Sequence, residues 1–121
     1  MSNCIIVGGS NGIGAAFAEQ LEKKYKKIYI FDKAKPIINN PNIEFIKIDL
    51  SKDSLEQYSN IINSCNTLII TAGFGRVDFF NNINIPEIDK IIKVNLISTI
   101  NLIKLFFSNL ECNQKVHCLV M

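Results

Sequence analysis

Residues 8–14 read Gly8-Gly9-Ser10-Asn11-Gly12-Ile13-Gly14, wedged between the apolar run Cys4-Ile5-Ile6-Val7 and a segment whose apolar residues recur at helical spacing. A strand that turns through glycines straight into a helix needs a parallel neighbour for the strand and a sheet face for the helix. Glycine also lets the backbone pass close to a ligand, and the first free N–H groups of the helix, with its positive dipole end, attract an anion. The turn reads as the phosphate-binding element of a dinucleotide site. The bland alternative is a strand-to-helix turn that needs positive φ at one glycine. The spacing is G-x-x-x-G-x-G, from Gly8, Gly12 and Gly14, and the commoner G-x-G-x-x-G is absent because Ser10 and Phe17 occupy two of its positions.

The rest of the chain alternates strand and helix patterns, which specifies a parallel sheet. Strand patterns cover Asn3–Val7, Ile28–Phe31 ending at Asp32, Ile43–Ile48 ending at Asp49, Thr67–Thr71, and Lys115–Met121. Helix patterns cover Gly12–Lys24, with Ile13, Phe17 and Leu21 on one face, and Lys52–Asn63, with Ser51 as the N-cap. A third helix runs from Pro86 to Leu110, with the proline in its first turn. Neither a repeat nor a linker interrupts the pattern, so residues 1–121 are read as one domain.

Composition narrows the partners. A net charge of +2 is too small for a nucleic-acid footprint, and the lysines are dispersed apart from Lys23-Lys24 and Lys26-Lys27. Cys4, Cys65, Cys112 and Cys118 have neither C-x-x-C spacing nor a secreted framework, so no metal site is expected and the thiols are read as reduced, with Cys4 and Cys118 as small core residues. No apolar stretch reads as a membrane span, and Met1-Ser2-Asn3 carries no basic leader, which gives an expectation of a cytoplasmic protein without membrane contact.

Right-handed crossovers place five such strands in the order 3-2-1-4-5. The chain then reverses direction beside strand one, and ligands of such sheets bind there, beyond the carboxyl ends of the strands. Gly8 to Gly14, Asp32, Asp49 and Ala72-Gly73 all lie at those ends and converge on one crevice. Asp32, eighteen positions after Gly14, has the spacing of an acid that accepts hydrogen bonds from an adenosine ribose. A 2′-phosphate at ~4 Å from its carboxylate meets ~4 kcal/mol of repulsion at an effective dielectric near 20, which favours NAD. The adjacent cation of Lys33 keeps NADP open.

These residues together resemble the short-chain dehydrogenase/reductase family. The resemblance implies an α/β, Rossmann-type three-layer fold and an NAD(P)-dependent oxidoreductase that moves hydride between a nicotinamide cofactor and an alcohol or carbonyl substrate. It assigns Gly8, Ser10, Asn11, Gly12, Ile13 and Gly14 to the cofactor's phosphates and Asp32 to its ribose, with Lys33 beside it as a cofactor-binding residue that could turn toward a 2′-phosphate. Asp49 with Leu50 matches the family's adenine contact. Ile70-Thr71-Ala72-Gly73 is similar to its N-N-A-G motif with both asparagines replaced, leaving Ala72 and Gly73 as close backbone neighbours of the cofactor. Val94-Asn95 matches the family's helix asparagine, whose carbonyl helps hold a water of the proton relay, so Asn95 is the candidate catalytic residue.

In the family a serine follows the fifth strand and a Y-x-x-x-K pair lies on the next helix, with tyrosine as general acid/base. Those positions lie past Met121, so the chain reads as the cofactor-binding half, truncated before the catalytic part and expected to be inactive alone. A non-catalytic dinucleotide-binding or regulatory protein is the second reading. A methyltransferase-like nucleoside binder is the third, disfavoured because its turn is usually G-x-G-x-G. The last strand as a sheet edge and apolar residues on several sides of the third helix lead us to expect a homo-oligomer; the substrate is not specified.

Overall fold

The computed structural model describes residues 2–112 and 116–121. Five parallel strands form one sheet in the order β3-β2-β1-β4-β5: β1 (Asn3–Val7), β2 (Lys27–Asp32), β3 (Ile43–Lys47), β4 (Thr67–Ile70) and β5 (His117–Val120). Register runs Ile5 beside Tyr29 on one side and beside Leu68 on the other, so β1 is central. A strand covered on both faces is apolar throughout, and β1 and β4 are the most deeply buried strands.

Alternation along each strand sorts the core into two layers. Cys4, Ile6, Ile28, Ile30 and Ile69 pack with Ala18 of α1 (Gly12–Leu21). Ile5, Val7, Phe31, Leu68 and Ile70 pack on the other face with Ile62 of α2 (Ser59–Asn63) and with Leu102 and Phe106 of α4 (Ser98–Cys112). The result is the three-layer α/β arrangement expected from the sequence. Asn109 ties two of these elements together, donating from the buried Nδ2 to the carbonyls of Ile62 and Cys65 at 2.8 Å each.

Several local expectations are corrected. Helix α1 ends at Leu21, not Lys24; Lys24 N–H turns back to the Leu21 carbonyl at 2.9 Å and closes a tight turn. Ile13 is 58% exposed rather than on the packed face, which is carried by Gly14 and Ala18. Ser51 caps no helix: Asp49 Oδ1 captures both its N–H at 2.9 Å and its hydroxyl at 2.5 Å, a local side-chain turn that competes with helix start. The helical segment begins only at Leu55, as a 3-10 turn through Tyr58, and α2 follows.

The third expected helix is split into α3 (Ile85–Ile92), a π-helical turn over Lys93–Ile97, and α4. Asn84 caps α3, its Oδ1 accepting from Glu87 N–H at 2.9 Å, with Pro86 in the first turn. The stretch Ile85–Asn109, of mean hydropathy 1.5, is long and apolar enough to cross a membrane, contrary to the sequence expectation. In this fold its α4 part covers the sheet, with Leu102 and Phe106 wholly buried against the strands, whereas α3 and the π-helical turn carry no buried residue. Cys118 is exposed rather than a core residue, because β5 has a strand neighbour on one side only. The expected strand start at Lys115 and the side chains of Leu110 and Cys112 lie outside the described residues.

Candidate functional site

The carboxyl ends of β1, β2, β3 and β4 open onto a cleft of about 460 Å³. Its walls include Gly8 and Asn11 from the glycine turn, Asp32 and Lys33 after β2, Asp49 and Leu50 after β3, and Ala72 and Gly73 after β4. The four strand ends expected to converge do so. Ser10, Gly12, Ile13 and Gly14 belong to the same turn without lining the cleft.

Close packing shapes that turn. Gly8 has φ +84°, and a Cβ there would lie 2.7 Å from Ala72 N, so only glycine lets β1 and β4 end side by side. A Cβ on Gly14 would lie 2.2 Å from the Gly8 carbonyl oxygen, so helix α1 can start over the turn only because residue 14 has no side chain. Thr71, in the place of a motif asparagine, donates its hydroxyl to the Val7 and Gly8 carbonyls at 3.0 and 3.2 Å. It ties the β4 end to the glycine turn. Its signal in the sequence was a hydroxyl at that position.

Asp32 organises the β2 end. Its Oδ2 accepts from Ser10 N–H at 3.0 Å, and Oδ1 accepts from Lys33 N–H at 2.6 Å and Ala34 N–H at 3.3 Å. Ser10, 6% exposed, donates its hydroxyl to the Ala34 carbonyl, which makes it a strut between the two turns rather than an open ligand contact. The ammonium of Lys33 lies 3.7 Å from Asp49 Oδ2 and bridges the β2 and β3 ends. The hydroxyl and N–H of Ser51 hold the Asp49 carboxyl below its ordinary range, helped by the charges of Lys33 and Lys52.

Asn95 sits in the π-helical turn, an irregularity that concentrates at functional sites. Its side chain clasps the backbone of Phe74: Nδ2 donates to the Phe74 carbonyl at 2.7 Å, and Oδ1 accepts from the Phe74 N–H at 2.9 Å. Its own carbonyl accepts from the Thr99 hydroxyl at 3.2 Å. Asn95 thereby fixes the loop after Ala72-Gly73. Two residues not singled out in the sequence complete this end: Phe74, whose ring lies 5.1 Å from the Lys90 ammonium, and Lys90 itself, both on the cleft wall. Among the described residues no cluster of ligating side chains suits a metal.

The short chain dehydrogenase family model matches residues 2–118. The chain belongs to this family. Among curated proteins it is 31% identical over 114 residues to a very-long-chain 3-oxoacyl-CoA reductase of the yeast Vanderwaltozyma polyspora, covering 80% of this chain and 33% of that one. Among solved structures, a short chain dehydrogenase family protein of Francisella tularensis is 30% identical, with a TM-score of 0.79 over 90% of this chain and 46% of that one. A short chain dehydrogenase of Leptospira borgpetersenii, solved with bound NAD+, shares the fold at a TM-score of 0.83 and 22% identity over 98% of this chain and 50% of that one. This short-chain dehydrogenase chain thus spans from a third to half the length of these relatives.

Proposed function

We propose that residues 1–121 form one dinucleotide-binding domain, the cofactor half of an NAD-dependent oxidoreductase acting on an alcohol or carbonyl. The observation that carries this reading is the convergence of the Gly8–Gly14 turn, Asp32, Asp49 and Ala72-Gly73 on one cleft at the switch point of the sheet. Family membership and the NAD+ held by the Leptospira relative support it.

In this reading Gly8, Asn11, Gly12 and Ile13, with the amino end of α1 packed closely through Gly14, receive the pyrophosphate, while Ser10 holds their turn in place. Asp32 accepts the ribose hydroxyls and repels a 2′-phosphate. Lys33, drawn toward Asp49 rather than left free beside Asp32, is poorly placed to recruit NADP. Asp49 and Leu50 border the adenine, and Ala72 and Gly73 let the cofactor pass close to backbone. When bound, the cofactor supplies a hydride acceptor or donor. Asn95 acts by setting the loop at Phe74.

The family's serine and Y-x-x-x-K lie outside these 121 residues, and without that general acid/base the chain alone is expected to bind cofactor with little or no turnover. A non-catalytic dinucleotide-binding role is the second reading. Leu96, Ile97, Ile100 and Phe107 on the outer side of the long helix are each more than two-fifths exposed and support self-association. The free thiols of Cys4, Cys65 and Cys118 fit a reducing compartment such as the cytoplasm. The test is titration of the purified chain with NADH, followed by fluorescence, beside a turnover assay with NAD and a panel of alcohols. Saturable binding without NADH formation is expected; absence of binding would overturn the cofactor assignment, and robust turnover would overturn the expected inactivity.

A further inference from the structure

A second cleft, about 470 Å³, lies across the long helix from the first, between the turn at residues 52–56 and the start of α4. Lys52, Lys93 and Lys104 line it. Lys93, at the start of the π-helical turn, and Lys104, in α4, both border it. Among the described residues none of the three lysines makes an ion pair, although the cleft also holds Asp53 and Glu56. The Asp53 carboxylate is already engaged, its Oδ2 accepting from Asp49 N–H at 2.7 Å. Three ammonium groups, of which that of Lys52 also acts on Asp49, face the carboxylates of Asp53 and Glu56, so the concave surface carries a net charge of +1 that its walls focus.

The two clefts share a wall. Ser98 lines the second cleft, and its buried hydroxyl is shared between the carbonyl of Lys93 at 2.8 Å and that of Leu50, which lines the first cleft, at 3.0 Å. Asp53 lines the second cleft and holds the backbone of Asp49, which lines the first. On the helix, Lys90 and Val94 face the first cleft while Lys93 and Ser98 face the second. An anion that draws Lys52 and Lys93 together would order the segment from Asp49 to Asp53 from behind.

We propose that this second cleft is a binding site for a small phosphorylated anion, held by Lys52, Lys93 and Lys104 and coupled through the Ser98–Leu50 and Asp53–Asp49 contacts to the first cleft. Fixing the Asp49–Asp53 segment preorganises the adenine border, so the coupling is positive, and by linkage each ligand tightens the other by the same factor. The coupling rests on the dinucleotide assignment of the first cleft; the anion site does not.

The probe is inorganic pyrophosphate, titrated at constant ionic strength into 15N-labelled protein, with amide shifts read separately at the two clefts. Saturable shifts are expected over Lys93–Ser98 and at Lys104, beside any shifts of the Gly8–Gly14 turn. The double variant K93Q/K104Q is expected to weaken the second-cleft response about tenfold and leave the glycine-turn response unchanged. K52Q, on the exposed turn, reads the same loss if the double variant does not fold. Shifts confined to Gly8–Gly14, or second-cleft affinity unchanged in the variants, would overturn the site. With NAD saturating the first cleft, pyrophosphate is expected to bind the second about fivefold more tightly than without NAD. Equal affinity would overturn the coupling. Failure of NAD to bind would remove the dinucleotide reading and leave the pyrophosphate shifts as the test of the site.

Discussion

The side chain of Asn95 makes two hydrogen bonds to the backbone of one residue, Phe74, donating to its carbonyl at 2.7 Å and accepting from its N–H at 2.9 Å. An amide is the side chain that satisfies both partners, since it carries a donor and an acceptor on one planar group. Asn95→Asp keeps the shape and places a second acceptor against the Phe74 carbonyl. We expect a loss of about 1 kcal/mol, in the range of one net hydrogen bond, and about fivefold faster hydrogen exchange at the Phe74 amide. An exchange rate equal to that of the parent would show that the clasp does not hold the loop.

Gly14 and Gly75 offer a matched contrast. A Cβ on Gly14 would lie 2.2 Å from the Gly8 carbonyl oxygen, backbone that cannot swing aside, whereas a Cβ on Gly75 meets nothing within 4 Å. Gly14→Ala is expected to lower the urea midpoint by the equivalent of about 3 kcal/mol and to abolish cofactor binding, while Gly75→Ala leaves both unchanged. Equal midpoints for the two variants would contradict the close packing of α1 on the glycine turn.

Two thiols make stability fall at alkaline pH. Burial, with the nearby Cys65, pushes the Cys4 thiol up to about 12, and burial pushes Cys65 up to about 11, each from an ordinary 9.0. Below pH 9 both thiols are protonated in the folded and unfolded chain. As pH rises from 9 toward 12 the unfolded chain loses those protons first, so stability present below 9 is progressively lost. Urea unfolding between pH 8.5 and 10 is expected to show this decline, with a shallower slope in Cys4→Ala. Identical slopes in the two proteins would contradict burial of Cys4.

Sequence periodicity was enough for the sheet, because strands buried on both faces are apolar throughout and the glycine turn fixes where β1 hands over to α1. The order of strands followed from connection handedness, and the strand-end residues inherited their places from it. What the pattern concealed was local competition for hydrogen bonds. Ser51 looks like a helix cap until Asp49 claims its hydroxyl, and the helix start then slips to Leu55. The π-helical turn at Lys93–Ile97 leaves no mark in an apolar period, although it sets where Asn95 meets Phe74. Thr71 was visible only as a lost asparagine; its role rests on the distance between β4 and the Gly8 carbonyl.

Calorimetric titration of NAD and NADP against the parent chain and Asp32→Asn bears most directly on the dinucleotide assignment. Asp32 also supports the turn by accepting from the N–H groups of Ser10, Lys33 and Ala34. The substituted amide retains one acceptor oxygen, so any loss of loop order affects both cofactors alike and cancels in their ratio. The parent is expected to prefer NAD by at least about tenfold, and the variant to bring the ratio close to one by removing the charge that repels a 2′-phosphate. A ratio unchanged by the substitution would contradict the placement of the adenosine ribose at Asp32.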